Sequence, residues 1–454
     1  MKINPHRLRH LTIVALLGLA AACDDGNGGP TNNPSGSGGA RATGGRGGGG
    51  GSATGGSGGM ASSVTPVGQI AGNSDAGAAT SVMVDAQATA NNNTDPAKPA
   101  DASVSDIGSN GMMMAGNPEA EWTIFVYGHA DHNLSPSMVK DLGEMSQAKL
   151  SDKVQVVALV DYDASLENDS ENFPTGTFWY RIVGDGQPPK EIAKGPELDL
   201  DSPSILASAV HQAFTAYPAK RYGLILWDHG GAWIAGFGGD TADGKKEGEG
   251  MAVESVANAL REAVRALGLK GEKPLEFITF DTCLMGGAEE LAAFQDLAKV
   301  YTANAEIDFG DGLDYTKTLN HLVANPNTSA IDLGKAEATI WDAHHVAAGG
   351  LDTLFRSHAV WDTAKTPKIV EAMKDLNKTI SDAGQTRSIA RALTLSAPEY
   401  FAGSTDESSV ALRDLGNVLL SLKAGDNGAV ANAANRVLDE IKNARLGLAA
   451  GELR

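Results

Sequence analysis

Two residues in this chain could carry out covalent chemistry together. Cys283 follows the apolar run Leu275 to Phe280, and His229 follows the run Tyr222 to Trp227. A thiolate is a strong nucleophile, and a nearby imidazole both lowers the thiol pKa and later protonates a leaving amine, so this pair suffices for peptide hydrolysis. The two lie 54 residues apart, the length of one strand-helix-strand crossover, and adjacent parallel strands would carry both side chains to one sheet edge. The backbone N–H groups of Gly230 and Cys283 are the candidate oxyanion-hole donors. Gly230 also lets a substrate backbone approach closely, because it has no Cβ.

Each residue alone has a plainer reading. A free cysteine is most often a small buried hydrophobe, and His229 could be a solvated loop histidine. A solitary thiol in an oxidising compartment is exposed to damage, and this favours a working nucleophile if the chain is exported. A second chemistry competes: His129, Asp131, His132, Asp161, Asp228 and His229 all stand at strand ends and could ligate metal for a metal-dependent hydrolase. Loop residues lack the fixed spacing of a helical metal motif, so the thiol reading is preferred, with no metal or other cofactor expected. Glu306 and Asp308 could help hold calcium, but their spacing matches no dedicated calcium loop. A third class is a non-catalytic envelope lipoprotein that only binds peptides or glycans. His211, His321 and His358 read as ordinary surface or interface residues.

The elements that must position these residues follow from the hydrophobic pattern. Strands are expected at Trp122 to Tyr127, Val154 to Val160, Thr177 to Ile182, Tyr222 to Trp227, Leu275 to Phe280 and near Val300. Helices are expected between them at Ser135 to Lys149, Pro203 to Ala216, Ala252 to Leu267 and Gly286 to Leu297. This alternation predicts an α/β fold, a mostly parallel sheet with helices on both faces. In such sheets ligands collect at the carboxyl ends of the strands. Beyond about Tyr315 only helices are evident, at Ile331 to Ala347, Pro367 to Ser381, Ser408 to Leu422 and Ala429 to Ala444, with no closing strand. A helical C-terminal extension is therefore expected.

The net charge of −20 argues against a nucleic-acid partner, which would require a clustered basic face. Every Phe, Tyr and Trp lies at or after Trp122, so the preceding chain cannot bury enough apolar area to offset its conformational entropy. Lys2, Arg7 and Arg9 precede the short apolar run Leu11 to Ala22, which reads as an export signal. Leu19-Ala20-Ala21-Ala22-Cys23 resembles the lipobox of bacterial lipoproteins, which implies lipidation at Cys23 and a membrane partner through that lipid. The Gly-, Ser-, Ala- and Asn-rich stretch that follows reads as a flexible tether with a reach of about 55 Å for roughly 95 residues. The expected organisation is a signal at 1–22, a tether at 23–118, a catalytic domain at 119–320 and the helical extension at 321–454. The protein is expected in the bacterial cell envelope, exported, lipid-anchored and monomeric.

Tyr222 to Gly231 and Phe280 to Gly286 resemble the two signature blocks of the clostripain family of cysteine peptidases, in the caspase-like clan with gingipains and legumain. Trp122 to Leu134, Ala305-Glu306, Gly312-Leu313-Asp314-Tyr315 and, more weakly, Asp414-Leu415-Gly416 extend the likeness. The spacing also matches the histidine placed about 50 residues before the cysteine in caspases. The resemblance implies a caspase-like sheet, a cysteine endopeptidase acting on polypeptides, His229 as general acid and base, and Cys283 as nucleophile. It places Asp281 in the pocket for the basic side chain before the scissile bond, hence cleavage after Arg or Lys. A carboxylate suits that role physically, since it can accept a bidentate pair from arginine or an ammonium from lysine. Several relatives mature by cutting a loop after the histidine, which makes Lys245 and Lys246 processing candidates. His129 and His132 depart from the family pattern, and Ala232 stands where another glycine is common.

Overall fold

The computed structural model describes residues 116–163, 174–239, 250–308, 311–349, 356–384, 399–400, 412–425 and 428–450. The expected signal, Cys23, nearly all of the tether, and Lys245 and Lys246 lie outside them. Among the described residues no helix is long and apolar enough to cross a membrane.

The chain alternates strand and helix: β1 (Trp122–Ala130), α1 (Ser135–Gln147), β2 (Val154–Tyr162), β3 (Gly176–Ile182), β4 (Lys190–Lys194), α2 (Pro203–Ala216) and β5 (Arg221–Trp227). A one-turn α3 (Ala232–Ala235) precedes α4 (Val253–Ala266), β6 (Leu275–Asp281), α5 (Ala288–Phe294) and β7 (Ala298–Asn304). Next come α6 (Tyr315–Ala324), α7 (Ala330–Ala348), β8 (Ser357–Asp362), α8 (Thr366–Asp382), the short pair β9 (Glu399–Tyr400) and β10 (Leu412–Arg413), α9 (Leu415–Gly425), α10 (Ala429–Ala444) and β11 (Arg445–Ala450).

Nine strands form one sheet in the order β11-β8-β7-β6-β5-β1-β2-β3-β4. The middle five pair in parallel, and the outer strands on each side run antiparallel. Every residue of β1 and β2 is buried, as expected for central strands covered on both faces. Side chains alternate between the faces. Phe125, Tyr127 and Leu159 join the core with α2 and α4, while Ile124, Val126 and Val156 join the opposite core with α1, α6 and α7. In α4 the buried positions Val253, Val256, Ala257, Leu260, Ala263 and Val264 recur at helical spacing. A third cluster, including Leu376, Ile380, Leu419 and Val437, knits α8, α9 and α10 together.

The predicted α/β architecture and the C-terminal helices are present, and two expectations are corrected. The region after Tyr315 also supplies strands: β8 pairs antiparallel with β7, and β11 pairs antiparallel with β8. Arg445 to Ala450 contains no β-branched residue, so its local preference gave no strand signal; pairing to an existing edge decides its conformation. The helix expected over Gly286 to Leu297 is shorter, because the Gly286 N–H is taken by the Asn304 carbonyl at 2.7 Å and the Leu297 carbonyl accepts from Leu275 at 3.0 Å.

Without β11 the outer edge of β8 would be bare, and an unpaired edge templates aggregation. Deleting residues 445–454 is expected to lower Tm by several degrees and to raise light scattering in concentrated solution.

Candidate active site

The parallel pairing of β5 with β6 runs to the last residues of both strands, Trp227 opposite Asp281. Two residues further on, each segment presents its candidate side chain, His229 after β5 and Cys283 after β6. The turns beyond are in contact: a Cβ built on Gly230 would lie 2.1 Å from the Cys283 carbonyl oxygen and 2.9 Å from Thr282 Oγ1. Only glycine fits there. The Cys283 turn is pinned from below by Leu284 N–H to the Glu306 carbonyl at 3.0 Å, with Leu284 in the left-handed region at φ 59°. Sγ of Cys283, which is buried, accepts the Asp308 N–H at 3.3 Å.

His229 Nε2 lies 2.9 Å from Asn133 Oδ1. An amide oxygen only accepts, so Nε2 carries the proton and Nδ1 is left as the basic nitrogen. The His229 ring also sits 4.7 Å from that of His132. Beneath them Asp228 is enclosed by two imidazoles, His132 through Nε2 and His129 through Nδ1 at 3.0 Å, with the far nitrogen of His129 3.3 Å from Asp201. Burial by itself would raise the Asp228 pKa, but the two histidines outweigh it and hold the carboxyl far below its ordinary range. Burial pulls His129 down, yet Asp228 and Asp201 raise it well above a normal imidazole. Of the six residues considered as metal ligands, the structure groups His129, His132 and Asp228. Asp161 instead accepts from Thr177 at 2.8 Å, and His229 turns to Asn133.

Beside Cys283 lies a recess whose wall includes Asp141, Asp228, Asp281, Asp308, Trp227 and Gly312; His229 is not part of its wall. The sequence-predicted Asp281 is therefore here, joined by Asp141 and Asp308, which sequence reasoning did not place with it, and by Asp228, which the two histidines pair. Tyr315 donates to Asp281 at 2.6 Å and Trp227 to Asp141 at 2.8 Å. Burial drives the Asp281 pKa up to about 6 against the opposing hydrogen bonds of Tyr315 and Asp308. Burial and the charge of Asp281 raise both Asp141 and Asp308 well above the usual range. The histidine nearest Asp308, His345 at 3.9 Å, is pushed down to about 4 by burial and is neutral at pH 7. Among the described residues, none of Asp141, Asp281 and Asp308 is ion-paired to a lysine or arginine.

His358, expected to be an ordinary surface or interface residue, is fully buried, 2.7 Å from Asn304 Oδ1. Asn304 in turn donates to Asp308. Asn133, Asp141 and Asp201 were missed as partners of the site. Asp141 had a signal, since it shares the buried side of α1 with Met138, Leu142 and Met145, where an acid needs a reason to be. Asp201, in the turn before α2, had none.

A wide mixed sheet with a thiol and an imidazole on neighbouring strand ends defines the class, an α/β protein whose site lies at the carboxyl edge of its sheet. The family model for the clostripain family, Peptidase C11, matches residues 126–447; the chain belongs to the clostripain family. Clostripain from Hathewaya histolytica is 26% identical over 249 residues, covering 48% of this chain and 45% of that protein. The chain thus spans about half the length of that curated relative. Among solved structures, a secreted C11 cysteine protease from Bacteroides thetaiotaomicron, in complex with an irreversible peptide inhibitor, has a TM-score of 0.55 at 21% identity, over 72% of this chain and 84% of its own. An inactive zymogen C11 protease from Parabacteroides distasonis has a TM-score of 0.54 at 15% identity, over 73% and 84% respectively. These two likenesses are of fold.

A folded-state pKa raised above the unfolded value means that the native protein binds more protons, so the stability tied to Asp281 falls as pH rises through the carboxylate range towards 6. Asp281→Asn, which keeps an acceptor for Tyr315, is expected to flatten that slope. Above pH 6 it should be more stable than the parent by up to about 3 kcal/mol in urea unfolding.

Proposed function

We propose that the protein is a cysteine endopeptidase that cleaves after Arg or Lys. What supports this most is the juxtaposition of the two strand ends with the acid-walled recess next to Cys283. Cys283 Sγ attacks the scissile carbonyl carbon while His229 takes the thiol proton at Nδ1, and the same proton then passes to the leaving amine as the C–N bond breaks. The thioester left on Cys283 is hydrolysed by a water that gives its proton to His229, releasing the new carboxyl product and restoring the thiol. The Gly230 and Cys283 N–H groups receive the developing oxyanion. Asn133 is a positioning residue, fixing the tautomer of His229.

Charge explains the preference for a basic side chain. Three buried carboxylates without a Lys or Arg partner are costly to ionise, and a guanidinium or ammonium entering the recess supplies the missing countercharge. Asp281 is the primary contact because it ends the strand that leads into Cys283 and lines the same recess. Lys245 and Lys246, on the chain between His229 and α4, fit the same recess chemically and are the proposed self-cleavage sites. Export and anchoring through lipid on Cys23 rest on the lipobox likeness, and the chain is taken as monomeric.

A fluorogenic panel with Arg, Lys, Asp or Asn before the scissile bond tests the assignment. Turnover is expected only with Arg and Lys and should vanish in Cys283→Ala; cleavage that survives this change, or activity abolished by chelators but not by iodoacetamide, overturns it. Asn133→Ala is expected to lower kcat at least about tenfold with a smaller change in KM, as suits a group that orients a base. On denaturing gels the wild type should yield two fragments that are absent both from Cys283→Ala and from a Lys245→Ala/Lys246→Ala double variant.

A further inference from the structure

Below the proposed active site, His129, His132 and Asp228 each offer one ligand atom, all within 4.8 Å of one another and all buried. We propose that this group binds a divalent transition-metal ion of the zinc class, as a structural clasp beneath the turn that carries Asn133. Two imidazoles and a carboxylate are the donor types that zinc favours. Ligand atoms on a tetrahedral zinc ion stand about 3.4 Å apart; here His129 Nδ1 and His132 Nε2 lie 3.0 and 2.5 Å from Asp228 oxygens, so an ion would enter by opening the His132 contact by about 1 Å.

Two further observations point to a cation. His129 faces Asp228 with Nδ1 and Asp201 with Nε2, at 3.0 and 3.3 Å. One nitrogen turned inward and the other held by an outer carboxylate is the arrangement that orients metal-ligating histidines. Moreover, although His129 is fully buried, neither of these contacts has hydrogen-bond direction, and Asp228 Oδ2 also lacks a directed bond. These atoms converge at ion-pair distance without the geometry that would satisfy them as donors and acceptors.

Binding replaces protons by the ion. The extra proton on His129 leaves to solvent. The His132 proton moves from Nε2 to Nδ1, at the expense of the bond that Nδ1 accepts from the Leu134 N–H at 3.2 Å. The two imidazoles are buried and stand outside the recess wall, where only Asp228 reaches, and this arrangement suits a structural site rather than a hydrolytic one. It fixes the segment from His129 to Asn133, and so the Asn133 oxygen on which His229 rests.

The test uses the full chain carrying Cys283→Ala, so that the nucleophilic thiol cannot ligate and peptidase activity plays no part in the readout. Titration with zinc chloride in a calorimeter is expected to show one ion per chain and a rise in Tm. Cobalt(II) is expected to give visible d–d bands without a thiolate charge-transfer band. Adding His132→Asn or His129→Gln should weaken zinc binding at least tenfold in protein that is folded by circular dichroism. Absence of zinc binding and of cobalt bands in the folded Cys283→Ala protein overturns the proposal, as does undiminished binding in the two double variants. Should both double variants unfold, the cobalt spectrum of the folded parent decides. None of these outcomes depends on whether the chain is a peptidase.

Discussion

The parallel ladder between β5 and β6 is the constraint from which the site follows. Because it persists to Trp227 and Asp281, the two polypeptide segments leave the sheet side by side and in the same direction. Their next residues need only short turns to stay in contact, and the absence of a side chain at Gly230 removes the last obstacle to that contact. The strands themselves are held by apolar cores on both faces, so the reactive groups rest on a platform whose rigidity comes from elsewhere. This is the usual division of labour in open α/β folds, where packing fixes the strands and chemistry occupies the loops above them.

Two electrostatic environments of opposite character flank that edge. On the His229 side a carboxylate is enclosed by imidazoles, and the charges cancel within the protein. On the Cys283 side three further carboxylates, Asp141, Asp281 and Asp308, share one recess, and among the described residues none of them is ion-paired to a lysine or arginine. Burying negative charge without a partner costs free energy, and a protein tolerates such a cost where a ligand later offsets it. The Gly312 backbone, at φ 48° and with no Cβ to meet the Asp281 oxygens, lets the loop close over that charge.

Much of this was legible in the residues. The runs from Trp122 to Phe280 are long, apolar and bounded by polar clusters, so their strand character and order could be read directly, as could the outer polar ends bearing His229, Asp281 and Cys283. The helices Pro203–Ala216 and Ala429–Ala444 were legible to the residue because proline or glycine marks their starts. What escaped notice depends on tertiary contact. Strand β11 becomes a strand only by adding to β8, and Asp141 and Asp308 become partners of Asp281 only once α1 and the segment after β7 converge on one recess. Asp201 reaches His129 across 72 residues of chain, a proximity with no local signature. His358 read as a surface or interface residue because the short run Ser357–Asp362 gave no strand signal, while in the fold its ring stacks on Trp341 of α7.

The position of β11 near the far end of the chain has a temporal side. Strands β1 to β7 emerge first from a ribosome, yet the sheet margin next to β7 stays open until β8 and then β11 have been made, more than a hundred residues after Cys283. Synthesis therefore delivers Cys283 well before it delivers the strand that covers the outer edge of β8. The nascent chain thus carries an open sheet edge through most of this stretch of synthesis, an interval in which such an edge invites mispairing.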